Sequence, residues 1–411
     1  MTSPTPKTPP PLSLLEKVAL FSRLIFLAPP QIAFNITRCV SLAAVRGIPL
    51  GFYVDCGFIR FALGTLSPRQ LQYMQPSTAS TYRKWIASRS GKPNVTVEDG
   101  TRDAAASYLD DRLKFDVESL PDGASTILWV GDRRKATKFV YFFHGGGYVA
   151  PMMPEHLEWC LRAYVLAAAE LKRQGKVTDE EEVAVAVLQY TLCPGAQYPV
   201  QLCQAAAGLE HLIASGVKPG DLIIGGDSAG GNLTCQLLSH LLHPHPASKP
   251  IHLSEPLAGA FTVSPWISVC ADTPSMKQNG SIDMLSGSMM KSASNHLLGG
   301  VGSYDAEQKQ GQGWAMAADV DFSWFDGLRE VTCALYVTVG AQEVLRDQGI
   351  AFAEAVRVRN PGVAVHLEIS KHEAHDFILL EGKRLLNDKG GGDGDALKRM
   401  RTWVSSVFWS P

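Results

Sequence analysis

The chain has 411 residues, of which 45% are hydrophobic and 19% charged, so it has the composition of a globular protein and not of a disordered or fibrous one. Its 38 Lys and Arg residues against 40 Asp and Glu residues give a formal net charge of -2. This balance is unlike that of a nucleic-acid-binding protein, and we expect no nucleic-acid partner.

The first part of the chain, residues 1–95, is predicted to be a disordered tail followed by a helical cap region. Residues 1–11 are rich in Pro and Thr, which predicts disorder. Residues 12–34 are strongly apolar, but three charged residues interrupt them, so they do not read as a membrane span. Because Pro29-Pro30 should break the helix, we predict an amphipathic helix, a break and then more helix.

This apolar region has two alternative roles. It either packs as a cap over a site or makes a peripheral membrane contact through residues 12–50. The interrupting charges favour the cap. The localisation expected is accordingly cytoplasmic, or peripheral to the endoplasmic reticulum membrane, and a homodimer is left open.

The second part, residues 96–411, alternates short β-rich runs with helical patterns, which predicts a mostly parallel sheet with helices on both faces. The predicted strands are 126–131, 138–143, 183–190, 221–226, 258–264, 333–340 and 363–370. The predicted helices are 155–174, 199–215, 229–242, 346–359 and 396–408. Residues 270–330 break this rhythm and are predicted to form a helical insertion at the rim of the sheet, and the Gly-rich run 390–395 a flexible loop.

A nucleophile motif lies between a predicted strand and a predicted helix. Residues 226–230 read GDSAG and fit G-x-S-x-G, which places Ser228 on a sharp turn with its hydroxyl exposed. Side chains at the two flanking glycines would clash in so tight a turn. The alternatives are a Gly-rich turn with an incidental serine and a phosphate-binding loop, but the sequence lacks the GK[ST] pattern of such a loop.

A second motif, HGGGY at residues 144–148, follows another predicted strand. Acyl transfer through a serine needs hydrogen-bond donors aimed at the developing oxyanion, and backbone N–H groups are fixed donors. We predict that Gly145, Gly146 and Ala229 form the oxyanion hole. His144 is predicted to order the loop, because the general base should come last in the chain.

Together with Tyr190-Thr-Leu-Cys-Pro194 and Ser264-Pro265-Trp266, these motifs resemble the hormone-sensitive-lipase-like family of α/β-hydrolases. The resemblance covers about residues 125–390 and implies an α/β-hydrolase fold with a helical cap. The length and the apolar N-terminal region resemble, more weakly, filamentous-fungal members, which include steryl-acetyl-hydrolase-like and natural-product-pathway proteins.

The resemblance also implies the rest of a catalytic triad in the order serine, acid, histidine. Family members usually carry D-P-L-x-D after the next-to-last strand, and the residue aligned with the first acid is Glu343, with Asp347 as the competitor. The family pattern after the last strand matches His375, whereas His372 lies one turn earlier.

We therefore predict a serine hydrolase that cleaves a carboxylic ester of a hydrophobic substrate, such as an acetyl ester or a lactone, through an acyl-enzyme on Ser228. Tyr148, Trp266, Met284 and Trp314 are the predicted substrate-binding residues. No cofactor is expected, and no metal, because the eight cysteines and the histidines lack ligand spacing. Two alternatives remain: cyclisation or condensation with the same residues, and a non-catalytic small-molecule-binding module.

Overall fold

The computed structural model describes residues 11–89, 111–178, 180–299, 302–387 and 393–409. The predicted boundary between residues 95 and 96 lies outside these ranges. So do residues 1–10 of the predicted tail and residues 390–392 of the predicted flexible loop.

One eight-stranded sheet organises the chain, with the strand order β1-β2-β4-β3-β5-β6-β7-β8. Strand β2 is antiparallel to both of its neighbours, and every pairing from β4 to β8 is parallel. The strands are β1 (Val117–Ser119), β2 (Thr126–Val130), β3 (Lys138–Phe143), β4 (Val183–Gln189), β5 (Leu222–Asp227), β6 (Gly259–Val263), β7 (Ala334–Gly340) and β8 (Ala364–Ser370).

The helices are α1 (Leu14–Ser22), α2 (Ala28–Arg46), α3 (Leu50–Thr65), α4 (Pro68–Met74), α5 (Thr78–Arg89), α6 (Pro154–Cys160), α7 (Leu166–Arg173), α8 (Val200–Ala214), α9 (Ala229–Leu242), α10 (Pro274–Asn279), α11 (Gly287–Leu298), α12 (Gly302–Lys309), α13 (Arg346–Arg359), α14 (Phe377–Asn387) and α15 (Asp395–Trp409). A π-helical segment, Leu161–Val165, joins α6 to α7.

The predicted α/β-hydrolase architecture is confirmed, and all seven predicted strands are present to within one residue at each end. Central strands such as β4 are buried on both faces, so a continuous apolar run marks them in the sequence. The missed strand, β1, is a three-residue edge strand without such a run. Two hydrophobic clusters cover the two faces of the sheet.

The predicted break at Pro29-Pro30 is wrong. A π-helical turn, Arg23–Leu27, joins α1 to α2, and in it the N–H of Ala28 donates to the carbonyl of Arg23. The prolines then occupy the first turn of α2, where a missing N–H costs no intrahelical hydrogen bond. The chain therefore stays helical from residue 14 to residue 46.

The N-terminal helices sit over the edge of the sheet where the parallel strands end. The hydroxyl of Tyr53 on α3 donates to the carbonyl of His372, and Gln72 on α4 donates to the carbonyls of Val149 and Cys193. Arg46, the last residue of α2, donates to the side chain of Gln342. These bonds hold the helices against the loops that follow β3, β4, β7 and β8.

Candidate active site

The nucleophile motif forms a strained turn between β5 and α9. Ser228 has φ 52° and ψ -112°, a backbone conformation that residues other than glycine rarely adopt. A Cβ on Gly226 would lie 2.1 Å from the carbonyl oxygen of Phe143, and one on Gly230 would lie 1.9 Å from it. Both positions therefore require glycine, because the turn presses against the last residue of β3.

His375 meets the serine from the loop after β8. Its Nε2 lies 2.8 Å from the Oγ of Ser228, and both residues are nearly buried. Burial lowers the pKa of His375, which the charge of Asp283 opposes, so the ring is neutral at neutral pH and can accept a proton. His372, the alternative histidine, is exposed and contributes only its carbonyl, to Tyr53.

Glu343, on the loop after β7, is the carboxylate beside the imidazole. Its Oε2 lies 3.4 Å from Nδ1 of His375. Burial raises the pKa of Glu343 to about 8. Asp347, its competitor, lies elsewhere: one oxygen accepts the N–H of Ser275 at 2.7 Å and the other pairs with Arg346 at 2.9 Å. Of the two candidate acids, the structure brings only Glu343 to the histidine.

Asp283, in the insertion, is a residue that the sequence analysis missed. Its Oδ1 accepts the backbone N–H of His375 at 3.1 Å, and its Oδ2 accepts the N–H of Val344 at 2.7 Å. It thereby fixes the backbone at the histidine and beside Glu343. Burial raises the pKa of Asp283 to about 6. No motif points to this residue, because its partners are backbone groups brought together only by the fold.

The HGGGY loop folds under the serine, and here the prediction for Gly145 needs correction. The N–H of Gly145 donates to Oδ2 of Asp227 at 2.9 Å and so is not free for a substrate. Gly146 and Gly147 have φ values of +99° and +61°, which turn the backbone over the site. Ala229 opens α9, where the first N–H groups lack intrahelical partners. His144 stacks on Tyr190, as expected of a residue that orders the loop.

Behind the nucleophile lies a buried group of His156, Asp227 and Asp376. Nε2 of His156 lies 3.2 Å from Oδ2 of Asp227. Burial, followed by the charge of Asp227, holds the pKa of Asp376 well above its usual range. Burial opposes the protonation of His156, but the Asp227 carboxylate outweighs it and raises the pKa of that ring. The group joins α6, the end of β5 and the loop after β8.

The four predicted substrate-binding residues are all almost fully buried. The hydroxyl of Tyr148 donates to Asn232 at 2.7 Å, and the indole N–H of Trp266 donates to the carbonyl of Ser268 at 3.0 Å. Met284 follows Asp283 in the core. These three lie close to the site but offer a substrate little surface.

The prediction for Trp314 is wrong. Its indole N–H donates to the carbonyl of His243, at the C-terminal end of α9. Ser228 lies at the N-terminal end of the same helix, about 20 Å away at 1.5 Å per residue. Trp314 packs there against Trp324 and His245. Its place in the rim insertion suggested a lining role, but aromatic packing decides its position.

Comparisons with known proteins identify the family of the chain. Residues 140–379 match the family profile described as alpha/beta hydrolase fold. The chain is 25% identical to an acetyl-hydrolase of Streptomyces hygroscopicus over 67% of this chain and 83% of that protein. It is 25% identical to an esterase of Acinetobacter venetianus over 62% of this chain and 73% of that protein.

Solved structures share the fold. A thermostable esterase of Pseudomonas putida superposes with a TM-score of 0.60 at 19% identity, over 88% of this chain and 97% of that one. An esterase of the bacterial hormone-sensitive lipase family superposes with a TM-score of 0.54 at 21% identity, over 87% of this chain and 98% of that one.

Proposed function

We propose that this chain, which belongs to the α/β-hydrolase fold family and is an ester hydrolase, acts through Ser228, His375 and Glu343. The proposed substrate is a carboxylic ester of a hydrophobic small molecule. The observation that carries the proposal is the 2.8 Å contact between Oγ of Ser228 and Nε2 of His375 on a strained turn. The relatives named acetyl-hydrolase and esterase support the same class of bond, an acetyl or other short acyl ester.

The reaction begins with proton transfer from the serine to the histidine. Oγ of Ser228 attacks the ester carbonyl carbon while Nε2 of His375 accepts the hydroxyl proton. Glu343, beside Nδ1, stabilises the imidazolium that forms. The imidazolium then protonates the leaving alcohol and leaves the acyl group on Ser228. Water, deprotonated by the same ring, attacks the acyl-enzyme and releases the acid. Side chains supply every proton transfer, so the proposal needs no cofactor.

Three backbone N–H groups are proposed to hold the oxyanion: those of Gly146, Gly147 and Ala229. Gly147 replaces Gly145, whose N–H is bound to Asp227. Glycine at 146 and 147 keeps this part of the loop free of side chains, and a Cβ on Gly147 would come within 4 Å of Val149 and Ala293 alone among the described residues, at 3.9 and 4.0 Å. Each donor of this type contributes about 3 kcal/mol to stabilising the transition state.

The substrate is proposed to be apolar because the insertion closes over the oxyanion loop with apolar groups. Ala293 on α11 faces Gly147, and Met290 on the same helix is buried in the adjacent core. Buried side chains of this kind favour an apolar acyl or alcohol group over a peptide.

The test is hydrolysis of p-nitrophenyl acetate by the purified chain. We expect turnover with a burst of p-nitrophenol, a loss of at least about 10⁴-fold in kcat for Ser228→Ala and His375→Ala, and covalent labelling of Ser228 by a fluorophosphonate. His372→Ala is the matched control and keeps wild-type activity, because its side chain is exposed.

Two outcomes would contradict the proposal. If the fluorophosphonate did not label the folded wild-type chain, the chain would be a non-catalytic binding module and not a hydrolase. Labelling of Ser228 without release of acid, together with conversion of a larger substrate that incorporates no water, would identify cyclisation or condensation.

A further inference from the structure

The first helix and the π-helical turn after it carry a stripe of apolar side chains that face solvent. They recur at intervals of one, three and four residues and so share one side of the helix. Each is between 51% and 81% exposed. They are Leu14, Leu15, Val18, Phe21, Ile25 and Phe26. On the opposite side Leu20 is buried, so the helix is seated on the protein while its apolar stripe is left open. Exposed apolar patches of this size mark interaction or membrane surfaces.

The helical segment Leu14–Arg46 is long and apolar enough to cross a membrane, judged by length and composition only, and little of its most apolar part is buried. Its second part, however, is fixed to the protein. Cys39 and Ala43 are fully buried, and a Cβ on Gly57 of α3 would lie 2.8 Å from Cα of Ile36. Residues 14–27 are held on one side only, by the buried Leu20, the ion pair of Glu16 with Arg69 and the hydrogen bonds of Arg23 to Thr65 and Gln70. They extend about 21 Å, which is too short for a hydrocarbon core of about 30 Å.

Charge distinguishes the N-terminal region from the remainder of the chain. Residues 1–89 contain 10 of the 38 Lys and Arg residues but only 2 of the 40 Asp and Glu residues, a net charge of +8. The remaining residues carry -10. A second copy would present the same positive region and be repelled, whereas an anionic lipid surface attracts it.

A cationic cavity of about 630 Å³ lies along the same helical segment, Leu14–Arg46. Arg23, Arg38 and Arg60 line it together with serines of the insertion, and no Asp or Glu belongs to the described residues around it. The ring of Phe34, which is largely exposed, lies in the same lining and packs against the guanidinium of Arg38 at 5.4 Å. One exposed aromatic ring of the helical segment therefore lies at the cavity, together with its arginines.

We propose that residues 14–27 dock the protein on an anionic phospholipid bilayer. The apolar stripe enters the boundary between headgroups and acyl chains, and the arginine cavity receives a lipid phosphate. The helix lies in the plane of the interface, as amphipathic anchors with a basic flank do. The proposal does not depend on the reaction at Ser228.

The test is co-sedimentation of the full chain with vesicles. We expect binding to vesicles that contain phosphatidylglycerol, weaker binding in high salt, and little binding to phosphatidylcholine alone. Phe21→Ser/Ile25→Ser/Phe26→Ser should weaken binding at least about tenfold, because exposed apolar groups supply the insertion energy. The matched control is Val358→Ser/Ile369→Ser, which removes two exposed apolar side chains elsewhere and leaves binding unchanged.

Arg38→Glu tests the cavity, with the exposed Lys135→Glu as its control. We expect roughly tenfold weaker binding for Arg38→Glu alone, since each basic residue near an anionic surface contributes about 1 kcal/mol. Free inorganic phosphate should not displace the protein from vesicles. Displacement by phosphate, equal binding to both vesicle types, or a dimer that the triple substitution converts to monomer would each overturn the proposal.

Discussion

The catalytic loops and the first helix differ in what fixes their side chains. At the elbow, backbone contacts within 3 Å of hypothetical Cβ positions determine where Ser228 must lie, and almost nothing there is exposed. Along residues 14–26, six large apolar side chains contact solvent. The difference teaches that an apolar pattern alone does not reveal whether a helix is core or surface, whereas a motif of glycines specifies a geometry.

The substitution with the largest expected effect tests the carboxylate of the catalytic loops. Glu343→Gln should lower kcat by about 10³- to 10⁴-fold, because a neutral amide cannot stabilise the imidazolium. In the wild type, kcat/KM should rise with pH through about 8 as the buried Glu343 ionises, and the variant should lack that rise. Steady-state kinetics across pH measures both.

Asp347→Asn is the control for this prediction. Its carboxylate contacts Ser275 and Arg346 rather than the imidazole, so kcat should change less than about threefold. A greater loss of kcat in Asp347→Asn than in Glu343→Gln would show that Asp347, and not Glu343, is the acid of the triad.

One glycine of the catalytic loops and one of the N-terminal helices sharpen the comparison through their effects on stability. Gly230→Ala places a Cβ 1.9 Å from the carbonyl of Phe143 and should destabilise the fold by about 3 kcal/mol and abolish esterase activity. Gly51→Ala, in α3, meets nothing within 4 Å and should stabilise it by about 0.5–1 kcal/mol. Thermal unfolding of both variants measures whether each substitution lowers or raises the stability. Equal destabilisation by the two substitutions would contradict the predicted difference between the two positions.

Arg46→Ala could break the comparison, because this residue joins the two regions. Its guanidinium donates to Gln342, next to Glu343, and to Asn279 in the insertion. We expect kcat to fall about three- to tenfold with KM changed less, since the loop that carries the acid loses support. A fall as great as that of Glu343→Gln would show that the N-terminal helices belong to the catalytic unit.

The smallest effect is expected for Trp314→Phe. The indole N–H of Trp314 binds the carbonyl of His243, so its loss should cost about 1 kcal/mol of stability. Because the residue lies at the far end of α9, kcat/KM should change less than about twofold. A tenfold increase in KM for apolar esters would show that Trp314 contacts the substrate, as the sequence analysis predicted.

The sequence predicts the parts of this molecule that local chemistry determines. Buried parallel strands read as apolar runs, and the elbow reads as glycines at fixed spacing. It does not reveal Asp283, whose partners are backbone groups of distant loops, nor that the N–H of Gly145 is taken by Asp227. It also predicts a break at Pro29-Pro30, because a π-turn that places prolines in a first turn has no residue signature.

The buried carboxylate of Asp227 has a consequence for how the molecule tolerates thermal motion. The residue directly precedes the nucleophile, and its side chain anchors the loop that carries the amide donors. A displacement of β5 would therefore move Oγ of Ser228 and the proposed amide donors together. The link through Asp227 would keep the spacing between them under such a displacement.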